Sequence, residues 1–469
     1  MSLSILLVAV LSLAEAQGAR TQTHLSPNGI QETCVALAQM PGAIYSEKDL
    51  EQENFFCSIH LYSPGVAQCP KFWSTSPGTI VVSTEGTGLT PEQYEASRCN
   101  KKDGHEKLAK FKSTMNASGT SATFSPSSLL YYHFSRYFNS DLKVPVSVYR
   151  TIDKDAHYDR VTSKAKGKGA MNIQAWKVLG AAEKNPSTYR PIDELFTPDR
   201  RQIFGIFLRD KGERYGAELN GTRAGGWGDG QNKSFQLTPG FLALRSESPL
   251  ESAIAEGLAS AVRDPKMKEA LGSTPVSHQQ MVFWMKELTE ITLLDYIFSQ
   301  QDRVGNIDYI WTWYYFEDGR LKSKEEKQKK DLPRNKMAQI QPPEKIAGLN
   351  PILIQRSTIG DNDAGGKVEY TNFTKRTQML EKIRHYNPET YRRLLKLNQD
   401  LSTNGPISIW LKEAFTLTEK QLKQIQVNTE AATRILQETC KAGKLRFDLD
   451  PVANMFGRRA AENVNCLNP

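Results

Sequence analysis

The sequence predicts a mixed α+β protein of two lobes, a small one built from strands with one helix and a larger one that is mainly helical. Three observations carry this. At 469 residues the chain exceeds what one ordinary hydrophobic core accommodates. Between residues 79 and 149, short β-rich runs flank one helical stretch. From residue 250 onward apolar residues recur mainly at helical spacing, interrupted by one hairpin pattern. The small lobe is expected to end near residue 150 and the larger one to begin after 200.

Residues 1–16 are expected to be a signal peptide. Positions 3–13 form an apolar run too short to cross a bilayer, and Ala14-Glu15-Ala16 is an A-x-A cleavage signature that would make Gln17 the mature start. No later segment approaches the ~20 apolar residues of a spanning helix, so the chain is expected to be exported and not membrane-spanning. Residues 17–106 read as a cysteine-bearing segment, irregular up to residue 70. Its first strand, at 79–83, leaves the turn Ser76-Pro77-Gly78. A polar insertion carrying Cys99 follows.

Residues 107–154 form the centre of the small lobe. Alternation over 107–112 makes a strand with Lys110 and Lys112 on one face. Ser125-Pro126-Ser127 opens a helix over 129–138, and 144–149 is the next strand. Residues 155–200 look like an insertion with one helix near 173–183. The larger lobe, 201–400, starts with a strand at 202–208 and a glycine-dense loop at 212–230. Helices at about 250–262 and 277–300 come next, then a hairpin over 309–321 turning at Glu317-Asp318-Gly319. Residues beyond 366 read as helical, with stops near Gly405-Pro406 and Gly443, and 401–469 is a C-terminal helical extension.

The six cysteines fall in two groups: Cys34, Cys57, Cys69 and Cys99 in front, Cys440 and Cys466 at the back. An even count in an exported chain reads as disulfides. The grouping predicts that the front four pair among themselves, in one of three ways, and that Cys440 bonds Cys466. No C-x-x-C occurs, which argues against zinc. The net charge of +8 is modest. Its densest basic stretch, 320–336, is mixed with Glu325, Glu326 and Asp331 and holds no aromatic residue, so it reads as a solvated loop and no nucleic-acid partner is expected.

The chemistry concentrates at two acidic turns. Ile291, Leu294, Ile297 and Phe298 recur at helical spacing, so that helix is core, and Asp302-Arg303 falls just past its end. An Asp-Arg pair capping a buried helix would account for that much. Asn306 and Asp308 follow in the same turn, however, and Asp361 and Asp363 return beyond a hairpin. Phosphoryl transfer needs this order: one carboxylate to orient a hydroxyl, then a carboxylate and an amide to hold Mg²⁺ or Mn²⁺. Asp302 is the candidate base, Asp361, Asn306 and Asp308 the candidate metal ligands, and Lys110 or Lys112 the candidate phosphate contacts. Two rival motifs fail. Asp361-x-Asp363-x-Gly365 starts like an EF-hand, but its twelfth position is Asn372. Gly365-Gly366-Lys367 is followed by Val368, which a Walker A motif does not allow. The stretch from Gly225 to Gly230 reads as a surface loop, and Tyr131, Tyr132 and His133 as packing residues.

In this order the elements resemble secretory-pathway kinases of the Golgi casein-kinase type and, more distantly, type II phosphatidylinositol 4-kinases and HipA-type kinases. The residues that carry the likeness are Tyr132-His-Phe-Ser-Arg-Tyr-Phe138 leading to Val144-Pro-Val, the run from Leu293 to Arg303, and Asp361-Asn362. Lys382-Ile-Arg384, Thr390-Tyr391-Arg392 and Leu394-Leu395 complete the set, which spans about 107 to 400. The resemblance implies a two-lobed protein-kinase-like fold and phosphate transfer from ATP or another nucleotide to an acceptor, which could be protein, glycan or lipid head group. It implies Asp302 as base, Asp361 as metal ligand, and Lys110 or Lys112 on the phosphates.

Two positions depart from the family pattern. The metal-binding amide or acid should lie five residues after Asp302, where Ile307 stands. The helix that should offer a glutamate to the lysine carries Ser127-Ser128, so Glu85, Glu92 or Glu95 would have to substitute. A pseudokinase or an extracytoplasmic binding module is therefore the alternative expectation. The location would be secreted or periplasmic, or the Golgi lumen in a eukaryotic host, where Asn116, Asn220, Asn232 and Asn372 would be glycosylation candidates.

Overall fold

Among the described residues of this mixed α+β chain, the larger of two sheets has seven strands, all antiparallel. The computed structural model describes residues 18–100, 106–209, 213–214, 216–326, 337, 339–415, 417–457 and 464–468. The expected signal peptide and residues 327–336 of the basic run lie outside the described residues. The chain divides into two units: residues up to His133 with Pro145–Asp210 and Ile409–Thr418, and Phe134–Val144 with Lys211–Ser408 and Glu419–Pro469.

The first unit holds β1 (Arg20–Leu25), β2 (Gln31–Ala36), β3 (Val66–Pro70), β4 (Thr79–Ser83), β5 (Lys107–Ser113), β6 (Ser147–Asp153) and β7 (Gln202–Leu208), in the spatial order β1-β2-β6-β7-β5-β4-β3. Apolar residues of alternating register, among them Val81, Phe111, Val148, Ile152, Ile203 and Phe207, form one buried cluster with Trp176 and Leu179 of the helix Ala170–Lys184. Gly205 of β7 is required by this packing: a Cβ there would stand 2.4 Å from the Phe111 ring. The strand at 202–208, which the sequence places in the larger lobe, is therefore an interior strand of this sheet.

Several sequence expectations are corrected here. Residues 17–70 are not irregular: they form β1, β2, β3 and the helix Glu47–Ser58. β1 is polar up to Leu25 and mostly exposed at the sheet edge, so it shows no apolar period. The helix has a Ser46–Asp49 capping box but buries polar Asp49 and Glu53 beside Phe56 and Cys57, which hides its apolar stripe. The polar insertion contains the helix Pro91–Ser97, opened by a Thr90–Gln93 capping box with proline in its first turn. The strand expected at 144–149 begins only at Ser147, after Pro145, which has no N–H to give a ladder.

The disulfides are Cys34–Cys57, Cys69–Cys99 and Cys440–Cys466. Both groups pair internally, as the spacing implied. Three bridges fit a protein of an oxidising, extracytoplasmic compartment. Among the described residues no helix is long and apolar enough to cross a membrane.

The second unit is organised around the helix His278–Phe298, in which every residue from Gln280 to Phe298 is buried. A helix enclosed on all faces must be central. It packs on the helices Pro239–Leu244, Leu250–Ala261 and Glu419–Lys441 and on a second sheet of β8 (Glu213–Arg214), β9 (Ile307–Glu317), β10 (Arg320–Glu325) and β11 (Ile352–Ile359). The β9–β10 hairpin turns at Asp318 and Gly319, both at positive φ. A buried ion pair ties helix to sheet, Arg356 of β11 reaching Glu287 at 2.6 Å, and Lys286 of the helix reaches Asp141 at 2.6 Å and Glu290 of its own helix at 2.9 Å.

Candidate functional site

The site is made where the central helix stops. Ser299 takes a left-handed conformation (φ 52°) and its N–H closes on the Asp295 carbonyl, ending the helix. Gln300 then accepts the Asp302 amide N–H at 3.0 Å. A tight turn follows, with Gly305 at φ +92° and the Asn306 N–H on the Arg303 carbonyl at 2.9 Å. β9 starts at the next residue. Because β11 runs antiparallel to it with Ile359 opposite Ile307, the Asp361 turn lies beside the Asp302 turn. Asp361 itself sits at φ 46°, a left-handed conformation that aspartate tolerates better than most residues.

Backbone hydrogen bonds sew the two turns together. Gly360 N–H donates to the Asn306 carbonyl at 3.1 Å, Gln301 N–H to Ala364 at 3.0 Å, and Gly366 N–H to Phe298 at 2.6 Å. The buried Arg303 side chain completes the join. It forks onto Asp295 of the helix (2.9–3.2 Å) and donates to the Gly360 carbonyl at 3.1 Å and the Asn362 side chain at 2.9 Å. The Asp-Arg pair thus has divided labour. The arginine locks two turns and a helix end together, while the aspartate is left at the junction.

Asp302 carries the electrostatic signature of that junction. Its carboxyl is pushed up to about 6, first by burial and then by repulsion from Asp361. Hydrogen bonds from the Asn306 amide and the Trp227 indole, and the Arg303 charge, act in the opposite direction. Asn306 also donates to the Asp302 carbonyl at 2.6 Å. A carboxylate held near neutrality in this way can take a proton from a hydroxyl at physiological pH.

Of the sequence candidates, Asp302, Asn306 and Asp361 therefore meet. Asp308 is the second residue of β9, opposite Thr358 and Arg214, and alternates with the buried Ile307. Asp363 is buried in the single turn Asn362–Ala364. Lys110 and Lys112 belong to the first unit, where β5 lies between β4 and β7. They are 6% and 3% exposed, buried within an interior strand. Of the possible glutamate partners, Glu95 bonds Arg160, Lys164 and the Gln68 N–H, and Glu92 bonds Thr90.

Among the described residues no three His, Cys, Asp or Glu side chains group so as to hold a metal ion by themselves. Mg²⁺ seldom needs such a cage, because it binds through one or two carboxylates plus substrate phosphates and retains waters. Two repelling carboxylates, with the Asn306 amide beside Asp302, are hard oxygen donors that suit Mg²⁺ or Mn²⁺.

Sequence reasoning gave no role to Asp295 and Asn362, which hold Arg303, and read the glycine loop only as a surface loop. That loop reaches the site through Trp227 and is clamped there at its ends. Asn220 accepts the Gly305 N–H at 2.8 Å and donates to Ile307, and Gln231 donates to Val304 at 2.7 Å. Its only sequence signal was the density of glycine. The glycosylation candidates Asn220 and Asn232 are buried, with their amides donating to Ile307 and Gly228, so neither can carry a glycan in the folded chain. No family model and no curated protein matches this chain.

Proposed function

We propose that this is an exported kinase-like protein with a two-lobed kinase fold that transfers phosphate from a nucleotide to an acceptor hydroxyl. The reading rests on one observation: Arg303 and the paired backbones hold the Asp302 turn against the Asp361 turn, leaving two carboxylates and an amide at one junction. Asp302 would receive the acceptor proton as the hydroxyl oxygen attacks. Asp361 and Asn306 would hold Mg²⁺ or Mn²⁺, which supplies charge neutralisation on the phosphates.

Melting temperature with and without metal–nucleotide tests this. A ligand that binds only the native state stabilises it by about 2.7 kcal/mol at a hundredfold excess over Kd. ATP with Mg²⁺ or Mn²⁺ should therefore raise the wild-type Tm. Asp361→Ala should lose the rise, and Asp302→Ala should keep it while losing transfer. A second reading, a pseudokinase, is favoured by the buried Ile307, which stands five residues after Asp302 where the resembled kinases carry a metal-binding amide or acid. It predicts the Tm rise with no transfer to any acceptor. No rise with any nucleotide would sink both in favour of a binding module.

A further inference from the structure

The loop between the helices Ala217–Asn220 and Asp229–Phe235 is tied at both ends to the turn between Asp302 and Asp308, through Asn220 on Gly305 and Ile307 and through Gln231 on Val304. Its backbone is left-handed at Gly221, Arg223, Gly225, Gly226 and Gly228. Arg223 is the exception among glycines, at φ 52°, a conformation that side-chain-bearing residues avoid unless surrounding structure imposes it. Its guanidinium reaches across to the Asp302 turn. A Cβ on Gly305 would stand 1.7 Å from Arg223 Nη2 and 2.4 Å from Cζ. Gly305 needs to be glycine for its φ of +92°, and the Arg223 guanidinium lies in the space that a side chain there would take. Arg223 is otherwise exposed. It presents a planar cation at the turn that carries Asp302 and Asn306, and Trp227 of the same loop meets the Phe373 ring edge-on at 5.1 Å.

We propose that Arg223 is a substrate-contacting residue of the transfer reaction, its guanidinium against Gly305 taking the terminal phosphoryl group of a nucleoside triphosphate. The proposal rests on the kinase reading. A planar fork matches two phosphate oxygens, and transfer spreads negative charge over the equatorial oxygens of the moving group. In the step, the bond from phosphorus to the nucleoside diphosphate oxygen breaks and the bond to the acceptor oxygen forms. The acceptor proton goes to Asp302, and Arg223 keeps its protons throughout.

The test compares the full chain with Arg223→Gln and Arg223→Lys, by thermal shift and titration with Mg²⁺–ADP and with the Mg²⁺ complex of the non-hydrolysable β,γ-imido analogue of ATP. Wild type should bind the analogue more tightly than ADP. Arg223→Gln should bind ADP as wild type does but the analogue roughly tenfold more weakly, the scale of a lost charged hydrogen-bond pair. Arg223→Lys, which keeps the charge without the fork, should fall between. An unchanged preference for the analogue in both variants, or in the lysine variant alone if the glutamine variant does not fold, would overturn the Arg223 role and leave the kinase reading standing. Wild type that responds to neither nucleotide would overturn both.

Discussion

Asp302 shows how a single residue can oppose the stability of the fold that holds it. Its ordinary value is 3.8, and in the folded chain it rises to about 6. The folded state therefore binds a proton more tightly than the unfolded state, and stability declines as pH rises through the interval from about 4 to about 6. The ceiling on this effect is about 3 kcal/mol, since one pKa unit corresponds to ~1.4 kcal/mol. Asp302→Asn should accordingly melt higher than wild type at pH 7.5, with the difference closing near pH 4. Thermal melts of the two proteins at both pH values measure this. An asparagine variant no more stable than wild type at pH 7.5 would contradict the account of burial and repulsion. The sequence placed Asp302 after a buried helix and expected Asp361 at the same site, and the register of β11 on β9, with Ile359 opposite Ile307, is what sets the two turns side by side.

At the scale of elements, the joint between the central helix and the two turns depends on Arg303. It is 4% exposed, and its principal partner, Asp295, is 2% exposed. Arg303→Met would leave Asp295 charged and buried without its fork, a change that typically costs about 3–5 kcal/mol. Denaturant unfolding should register a loss of that size, and amide exchange should quicken at Gly360 and Gln301, whose N–H groups bridge the turns. A variant with wild-type stability and exchange would show that the backbone ladder alone holds the junction. The central helix and the β9–β10 hairpin were legible from period and turn chemistry. The helix Glu47–Ser58 was not, because its buried face includes Asp49 and Glu53, which period analysis counts as solvent-facing. Both short helices in the front segment nevertheless carried capping boxes that could have announced them.

At the scale of the whole molecule, the bridges lie within each cysteine group, with separations of 23, 30 and 26 residues. Closing a loop of that size stabilises by roughly 2–4 kcal/mol, mostly by restricting the unfolded chain. The paired substitution Cys440→Ser with Cys466→Ser should lower stability by that amount in denaturant titration, while leaving the metal–nucleotide response of the remaining chain intact. Loss of that response would show that the tail bridge supports the site as well as the fold.

The sequence by itself determined the mixed α+β class, the central helix, the hairpin, the internal pairing of each cysteine group and the two acidic turns. Each of these is local, readable from a period, a turn residue or a spacing along the chain. Tertiary structure decided that the lysine strand is interior, that the 202–208 strand joins the seven-stranded sheet, and that the glycine loop is docked on the Asp302 turn. Those outcomes depend on which edges pair and which surfaces meet across long separations. Hydrophobic pattern leaves that choice open, and it is made by packing such as Phe111 on Gly205 and by buried hydrogen bonds such as Gln231 on Val304.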